Sequence, residues 1–148
     1  MQHFIVIGNP ISHSKSPDIH TAFARLVGID ISYRRQFCPD DFDSLRAVIE
    51  AFFNGGGVGA NLTLPFKEMS FKICQEVGTL SDYAKNAGAV NTLALKNGTL
   101  FGDNTDGQGL VADLVNHGVD LYNKKVAILG AGGATRGVIL PLVQRGAR

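Results

Sequence analysis

Three segments place polar side chains directly after apolar runs, where a folded chain could use them for chemistry. Residues 9–16 (NPISHSKS) carry Ser14 and Ser16, residues 61–67 (NLTLPFK) end in a lysine, and residues 102–107 (GDNTDG) hold two carboxylates. The two hydroxyls could donate hydrogen bonds to a small polar ligand. Each segment also has a plainer interpretation, because Ser16 suits a helix N-cap, an aspartate can cap a helix, and a lysine is usually a solvated charge.

A fourth segment, residues 130–133 (GAGG), is typical of an anion site. A strand, a glycine-rich turn and a helix N-terminus together direct free backbone N–H groups and the helix dipole at the turn. The dinucleotide fingerprint G-x-G-x-x-G is not met, since Thr135 occupies the sixth position. The pattern alone leaves two interpretations open, a nucleotide phosphate site and a plain tight turn.

Strands and helices are predicted to alternate along the chain. Apolar runs predict strands over residues 3–8, 31–37, 58–64, 89–95, 99–102 and 125–129. Apolar residues at helical spacing predict helices between them, with Ser16 as an N-cap and Pro17 at the first helical position, and with an apolar face formed by Leu110, Val111, Leu114 and Val115. Asn97-Gly98 predicts a tight hairpin turn. Alternation of this kind favours an α/β fold with a mostly parallel sheet.

Composition excludes several classes of partner. The chain has 148 residues, of which 45% are hydrophobic and 18% charged, and its net charge is +1. This balance predicts no nucleic-acid or membrane partner. No apolar run reaches the roughly 18 residues of a membrane span, and the N-terminus lacks the pattern of a signal peptide. Cys38 and Cys74 lack metal-ligand spacing, so we expect no metal site and free, partly buried thiols in the cytoplasm.

One boundary is predicted within the chain. Residues 1–106 would form an α/β domain, residues 107–123 a linker helix, and residues 124–148 the first βα unit of a second domain. A single βα unit cannot bury both faces of a sheet. We therefore expect the chain to be part of a longer protein.

Taken in order, the polar segments resemble one protein family. The chain contains G-N-P-I-S-H-S-K-S-P, G-A-N-L-T-L-P-F-K, A-G-A-V-N-T, G-D-N-T-D-G and G-A-G-G-A-T-R-G. These look like the successive signature segments of the shikimate dehydrogenases, across residues 6–140. The family's own glycine loop is modified in the same way, with a glycine at the fourth position, here Gly133, so the failed fingerprint supports the resemblance.

The resemblance implies a fold and an activity. The fold would be a three-layer αβα substrate domain with a mostly parallel sheet, followed by a truncated Rossmann-like NADP-binding domain. The enzyme would reversibly reduce 3-dehydroshikimate to shikimate with NADPH, on the route to chorismate and the aromatic amino acids. Its partners would be the small-molecule substrates, and it would act as a monomer or homodimer.

The resemblance also implies a role for individual residues. Lys67 would be the acid/base residue, paired with Asp106. Ser14 and Ser16 would hold the substrate carboxylate, and ring hydroxyls would contact Thr63, Asn91 and Asp106. The cofactor pyrophosphate would lie on Gly130, Ala131, Gly132, Gly133 and Ala134, and Asp82 is placed near the nicotinamide.

Two alternatives remain open at this stage. The first is a quinate/shikimate dehydrogenase that uses NAD; Ser16 favours shikimate over the larger quinate, whereas the strand that would select the cofactor is expected beyond Arg148. The second is a non-catalytic small-molecule binding module. The presence of both Lys67 and Asp106 argues against it, because a binder does not need that pair.

Overall fold

The computed structural model describes all 148 residues, which form six strands, six helices and the loops that connect them. The strands are β1 (Gln2–Gly8), β2 (Ile31–Phe37), β3 (Gly59–Leu62), β4 (Gly78–Leu80), β5 (Thr92–Lys96) and β6 (Thr99–Asp103). The helices are α1 (Ser16–Leu26), α2 (Phe42–Asn54), α3 (Lys67–Val77), α4 (Asp82–Ala87), α5 (Asp106–Asn116) and α6 (Gly133–Gln144). None of these helices combines the length and the hydrophobicity that crossing a membrane would require.

All strands belong to one sheet in the order β2-β1-β3-β5-β6-β4. β1 pairs in parallel with β2 and β3, and β4 pairs in parallel with β6. β5 runs antiparallel to both of its neighbours. The predicted α/β fold with a mostly parallel sheet is confirmed, and the reversed strand follows from the hairpin. At its turn Asn97 and Gly98 have φ values of 52° and 77°, which suits the tight turn that Asn-Gly favours.

The main core lies where one face of the sheet meets α2 and α3. Alternate residues of β1, Ile5 and Ile7, join a cluster with Leu45, Phe66 and Leu93. The intervening Val6 is also buried, and it lies on the opposite face because side chains alternate along a strand. α1 contacts β1 and β2. Cys38 and Cys74 are free and buried, as predicted.

Several predicted boundaries are wrong in detail. Ser16 is the first residue of α1 rather than its N-cap, and the residue at the N-cap position, Lys15, makes no side-chain cap bond. The sequence pattern does not predict strand β4, because Gly78 is typical of a helix end and three residues are too few to show a periodicity. On α5, only Val111 of the predicted apolar face is buried.

The buried strand predicted at residues 125–129 is absent. Within this segment, Val126 N–H donates to Arg148 O at 2.9 Å, and just before it Lys124 O accepts from Arg148 N–H at 2.8 Å. Leu129 is fully exposed. A buried strand needs ladder partners on both sides, and this segment has none in the sheet. The helix predicted after the glycine loop is present as α6, and it packs on α5 through a small core of Val111, Leu121, Val138 and Leu142.

Candidate active site

One pocket of about 390 Å³ brings together all six residues that were predicted to bind substrate or to act in catalysis. It lies at the edge of the sheet where β1, β3 and β6 end. Its polar lining consists of Ser14, Ser16, Asn61, Thr63, Lys67, Asn91 and Asp106, and its apolar lining of Val6, Pro10, Ile11 and Leu62. The edge formed by the carboxyl ends of parallel strands is where open α/β folds bind ligands.

The topology explains why distant segments meet there. The two serines follow β1, Thr63 and Lys67 follow β3, and Asp106 follows β6. Asn91 immediately precedes β5, and because β5 is reversed its beginning lies at the same edge as the ends of its neighbours. An antiparallel strand thus supplies a side chain from its start to a site built on strand ends.

Lys67 and Asp106 form a direct ion pair in this pocket. Lys67 Nζ lies 2.6 Å from Asp106 Oδ2, and the two side chains are 28% and 48% exposed. Pairs this exposed contribute little to folding stability, typically about 0–1 kcal/mol. What distinguishes this pair from other exposed ion pairs, such as Arg46–Glu76 at 2.7 Å, is its place in the lining of the pocket.

Asn91 fixes the orientation of the Asp106 carboxylate. Its Nδ2 donates to Asp106 Oδ1 at 2.8 Å, so both carboxylate oxygens are engaged. Its Oδ1 accepts bonds from the Thr105 backbone N–H at 3.1 Å and from the Thr92 hydroxyl at 2.9 Å. Asn91 is nearly buried, and these bonds leave its amide a single orientation.

Ser14 and Ser16 lie side by side at the start of α1. Ser14 Oγ donates to Ser16 Oγ at 3.2 Å and accepts from the Ser16 backbone N–H at 3.3 Å. Because Ser16 does not cap the helix, its hydroxyl is available to the pocket. Two hydroxyls at the positive end of a helix dipole suit a negatively charged group such as a carboxylate.

A ring of supporting residues was not assigned to the site from sequence. Tyr33 donates from its hydroxyl to Asn61 Oδ1 at 2.6 Å, and Asn61 Nδ2 donates to Asn91 O at 3.2 Å. Burial raises the pKa of Tyr33 to about 12, although a hydrogen bond with Ser16 partly opposes this effect. His20 stacks on Tyr33 and bonds Ser16 O through Nδ1 at 2.8 Å.

Only Asn61 could have been found from sequence. It lies two residues before Thr63, so the period of a strand puts both side chains on one face. Tyr33 and His20 come from segments without a motif. On sequence alone, His20 is an ordinary surface or packing histidine.

A second cleft, of about 500 Å³, connects this pocket to the glycine loop. Lys67 and Asp106 line both spaces, and Gly133 and Ala134 line the far side of the cleft. Gly130, Ala131 and Gly132 lie on the exposed segment before α6 and do not line the cleft. Asp82 begins α4 with an 83% exposed side chain that pairs with Lys85 at 3.4 Å, and it lines neither space.

Arg136 links α6 to Glu68, which lines the same cleft. Its Nε donates to Ala87 O at 2.9 Å, and its Nη2 lies 2.8 Å from Glu68 Oε1. Glu68 follows Lys67 directly on α3. α6, which follows the glycine loop, is thereby bonded to α3, which carries the ammonium group of Lys67.

Residues 6–93 match the family model of the shikimate dehydrogenase substrate binding domain. The chain belongs to the shikimate dehydrogenase family. The matched residues include the serine pair, Thr63, Lys67 and Asn91, whereas Asp106 and the glycine loop lie beyond them.

Individual family members resemble the chain over almost its whole length. It is 59% identical to a shikimate dehydrogenase (NADP(+)) from Psychrobacter cryohalolentis, with 98% of this chain and 54% of that protein covered. Among solved structures, an Ael1 enzyme from Pseudomonas putida superposes with a TM-score of 0.92 at 38% identity, over 99% of this chain and 53% of the other.

A further solved structure carries ligands. Shikimate 5-dehydrogenase from Thermus thermophilus, in complex with NADP(H) and shikimate, has a TM-score of 0.85 at 35% identity, over 99% of this chain and 54% of the other. The chain spans about half the length of the curated relatives it matches.

Proposed function

We propose that this chain binds shikimate and 3-dehydroshikimate as the substrate-binding part of an NADP-dependent shikimate dehydrogenase. The reaction is the reversible reduction of 3-dehydroshikimate to shikimate, on the route to chorismate and the aromatic amino acids. The observation that carries the proposal is the 2.6 Å Lys67–Asp106 pair in a pocket that also holds the two serine hydroxyls. A carboxylate group and a reducible carbonyl group on one small ring would engage both features.

Substrate binding is assigned to the polar lining of the pocket. The hydroxyls of Ser14 and Ser16 donate to the substrate carboxylate. Thr63, Asn91 and Asp106 contact the ring hydroxyls. The apolar residues that line the pocket, among them Val6 and Ile11, face the carbon skeleton of the ring.

Lys67 donates a proton to the substrate in one direction of the reaction and accepts it in the other. NADPH, when bound, supplies the hydride, and negative charge then develops on the carbonyl oxygen. The ammonium of Lys67 stabilises that charge and donates the proton that completes the alcohol. In the reverse direction the neutral amine accepts the proton. Asp106, held by Asn91, keeps the ammonium at the reacting end of the ring.

The chain's own residues fit a pyrophosphate at residues 130–134. α6 begins at Gly133 without a side-chain cap, so the N–H groups of its first turn lack a side-chain acceptor. A Cβ atom at Gly132 would meet nothing within 4 Å, which leaves the approach open. Thr135 Oγ1 donates to Gly130 O at 3.1 Å and braces the loop. The assignment of Asp82 to the nicotinamide end is also part of this proposal.

The domain division and the cellular setting belong to the same proposal. Residues 1–106 form the substrate domain, residues 107–123 link it to the nucleotide domain, and residues 124–148 begin that second domain. The enzyme acts in the cytoplasm as a monomer or homodimer on small-molecule substrates.

Calorimetric titration of this chain with shikimate tests the proposal. We expect saturable one-to-one binding that is lost when Ser14 and Ser16 are both replaced by alanine. Quinate, which is larger, is expected to bind more weakly. Absence of shikimate binding by a folded chain would contradict the proposed substrate, and tighter binding of quinate would support the quinate/shikimate alternative.

A further inference from the structure

Arg35 grips the loop that carries the serine pair. Its Nε and Nη2 both donate to the backbone carbonyl oxygen of Ser14, at 2.9 and 2.7 Å. Two bonds from one planar guanidinium group converge on this single oxygen and restrict both its distance and its direction from Arg35. The position of Ser14 is therefore set by a residue 21 positions away along the chain.

The sheet register delivers Arg35 to this place. Arg35 on β2 is the direct partner of Val6 on β1, and Val6 lines the pocket. Adjacent strands place paired side chains on the same face of the sheet. The guanidinium thus approaches the serine end of the pocket from the neighbouring strand.

Its positive charge is only weakly neutralised. The nearest carboxylate is that of Asp18, 3.7 Å away, and the side chain of Asp18 is 72% exposed. Exposed pairs at such a distance are largely screened by water. Arg35 is 37% exposed, and its bonds to the Ser14 carbonyl oxygen hold its charge against the residue that carries one of the two hydroxyls.

We infer that Arg35 is a positioning residue that orients the serine loop and makes this end of the pocket selective for an anionic substrate. The inference rests on the proposed function and deepens it. The serine hydroxyls can also donate to a neutral acceptor, and the helix dipole supplies only a partial positive charge. The adjacent guanidinium favours the carboxylate, and its grip on Ser14 O holds the hydroxyls towards it.

Arg34 provides a matched control. It is the same residue type on the same strand, but its Nε donates to Ser32 Oγ at 3.2 Å. Strand alternation directs it to the opposite face of the sheet. Replacing either arginine with glutamine removes one positive charge from the chain, so only the place of the charge differs.

The test compares two ligands that differ in charge, shikimate and its methyl ester, by titration calorimetry on wild type, Arg35→Gln, Arg35→Lys and Arg34→Gln. Loss of the nearby positive charge predicts that Arg35→Gln weakens shikimate binding by about tenfold, whereas the ester, which loses only the orientation of the serine loop, should weaken by about two- to threefold. Arg35→Lys keeps the charge without the fork and should lie in between. Arg34→Gln should match the wild type for both ligands.

The outcomes separate this inference from the proposed function. If Arg35→Gln lost the same affinity for the acid and for the ester, Arg35 would be only a structural support, and the inferred selectivity would be overturned. Unchanged binding in both Arg35 variants would overturn the whole inference. In either case the wild type would still bind shikimate, so the proposed function would stand. A wild-type chain that binds neither ligand would overturn the proposed function and the inference with it. Thermal melts of each variant identify any that fails to fold, in which case Arg35→Lys carries the comparison.

Discussion

The ammonium group of Lys67 lies 2.6 Å from the carboxylate of Asp106, although 39 positions separate them in the sequence. Lys67 is the first residue of α3 and Asp106 the first residue of α5. Each helix follows a strand of the same sheet, β3 or β6, and these two strands flank β5. The contact is therefore a product of sheet topology, and it joins an ammonium group and a carboxylate on the first residues of two helices.

Replacing Lys67 should damage turnover more than binding. In an enzyme of the relatives' full length that carries this chain, we expect Lys67→Met to reduce kcat by about 10²–10⁴-fold, the usual contribution of a general acid or base. The Kd of shikimate should change by less than about tenfold, because the serine end of the pocket is intact. Calorimetry can measure this Kd on the full-length enzyme or on this chain alone. Matched losses in kcat and affinity would instead indicate a binding role for Lys67.

Ser16 and Ser81 should respond oppositely to alanine. Ser81 is a true N-cap, because its hydroxyl accepts the Ala84 N–H at 3.0 Å and also donates to Asp103. Ser81→Ala should lower the free energy of unfolding by about 1–2 kcal/mol. Ser16→Ala should leave it nearly unchanged, since no cap bond is lost, and should weaken shikimate binding. Urea denaturation and calorimetry measure the two effects, and a destabilised Ser16→Ala would contradict the structure.

Two glycines of α5 form a second matched pair. A Cβ at Gly107 would overlap the carbonyl oxygen of Gly137 and lie 2.7 Å from its carbonyl carbon, whereas a Cβ at Gly109 would meet nothing within 4 Å. Gly109→Ala should stabilise the chain by about 0.5–1 kcal/mol through helix propensity. Gly107→Ala should destabilise it by about 1–3 kcal/mol, the usual cost of overpacking. Similar melting temperatures for the two variants would disprove the close helix contact.

Stability should fall in alkaline solution. Burial raises the pKa of Cys74 from 9.0 to about 12, and the pKa of Tyr33 rises from 10.0 to about 12, mainly through burial. Below pH 9 both groups are protonated in both states. Between pH 9 and 12 the unfolded chain loses these protons while the folded chain keeps them, so unfolding becomes more favourable.

The alkaline effect can be assigned to its source by mutation. Cys74→Ala should reduce the decline between pH 9 and 10, where Tyr33 contributes least; part of the decline should remain, because burial also raises the pKa of Cys38. Urea midpoints at half-unit pH intervals measure the slope for wild type and variant.

Native Cys38 and Cys74 should also resist alkylation at pH 8 until the chain unfolds, because both are buried. Rapid labelling of the folded chain would contradict their burial.

The chain by itself should show no measurable dehydrogenase activity. The glycine loop is followed by a single helix, and the segment before it makes no strand in the sheet. NADP-dependent oxidation of shikimate is the assay. Turnover above about 0.1 per second, a hundredth of a typical enzyme rate, would contradict this prediction.

The sequence predicted the parts of the site that rest on local signals. Strand ends, helix starts and the Asn97-Gly98 turn each have a residue signature, so the approximate positions of Lys67 and Asp106 could be inferred. Tyr33 and Arg35 could not, because their contacts depend on the register of β2 against β1, which no local pattern specifies. The strand predicted at residues 125–129 is absent for the converse reason. Its apolar pattern is that of a strand, but a strand forms only where neighbouring strands complete its hydrogen bonds.

The backbone contact between Gly107 and Gly137 has a mechanical consequence. Helices that meet without intervening side chains cannot slide past each other without a clash, and Arg136 further ties α6 to the end of α4 through Ala87 O. The end of α4 and the starts of α5 and α6 should thus move as one body. If the cleft opens or closes, this body should rotate relative to α3. Two ion pairs join α3 to this body, Glu68–Arg136 and Lys67–Asp106, and their distances should change in that movement. A movement of the glycine loop would therefore change the surroundings of the Lys67 ammonium group.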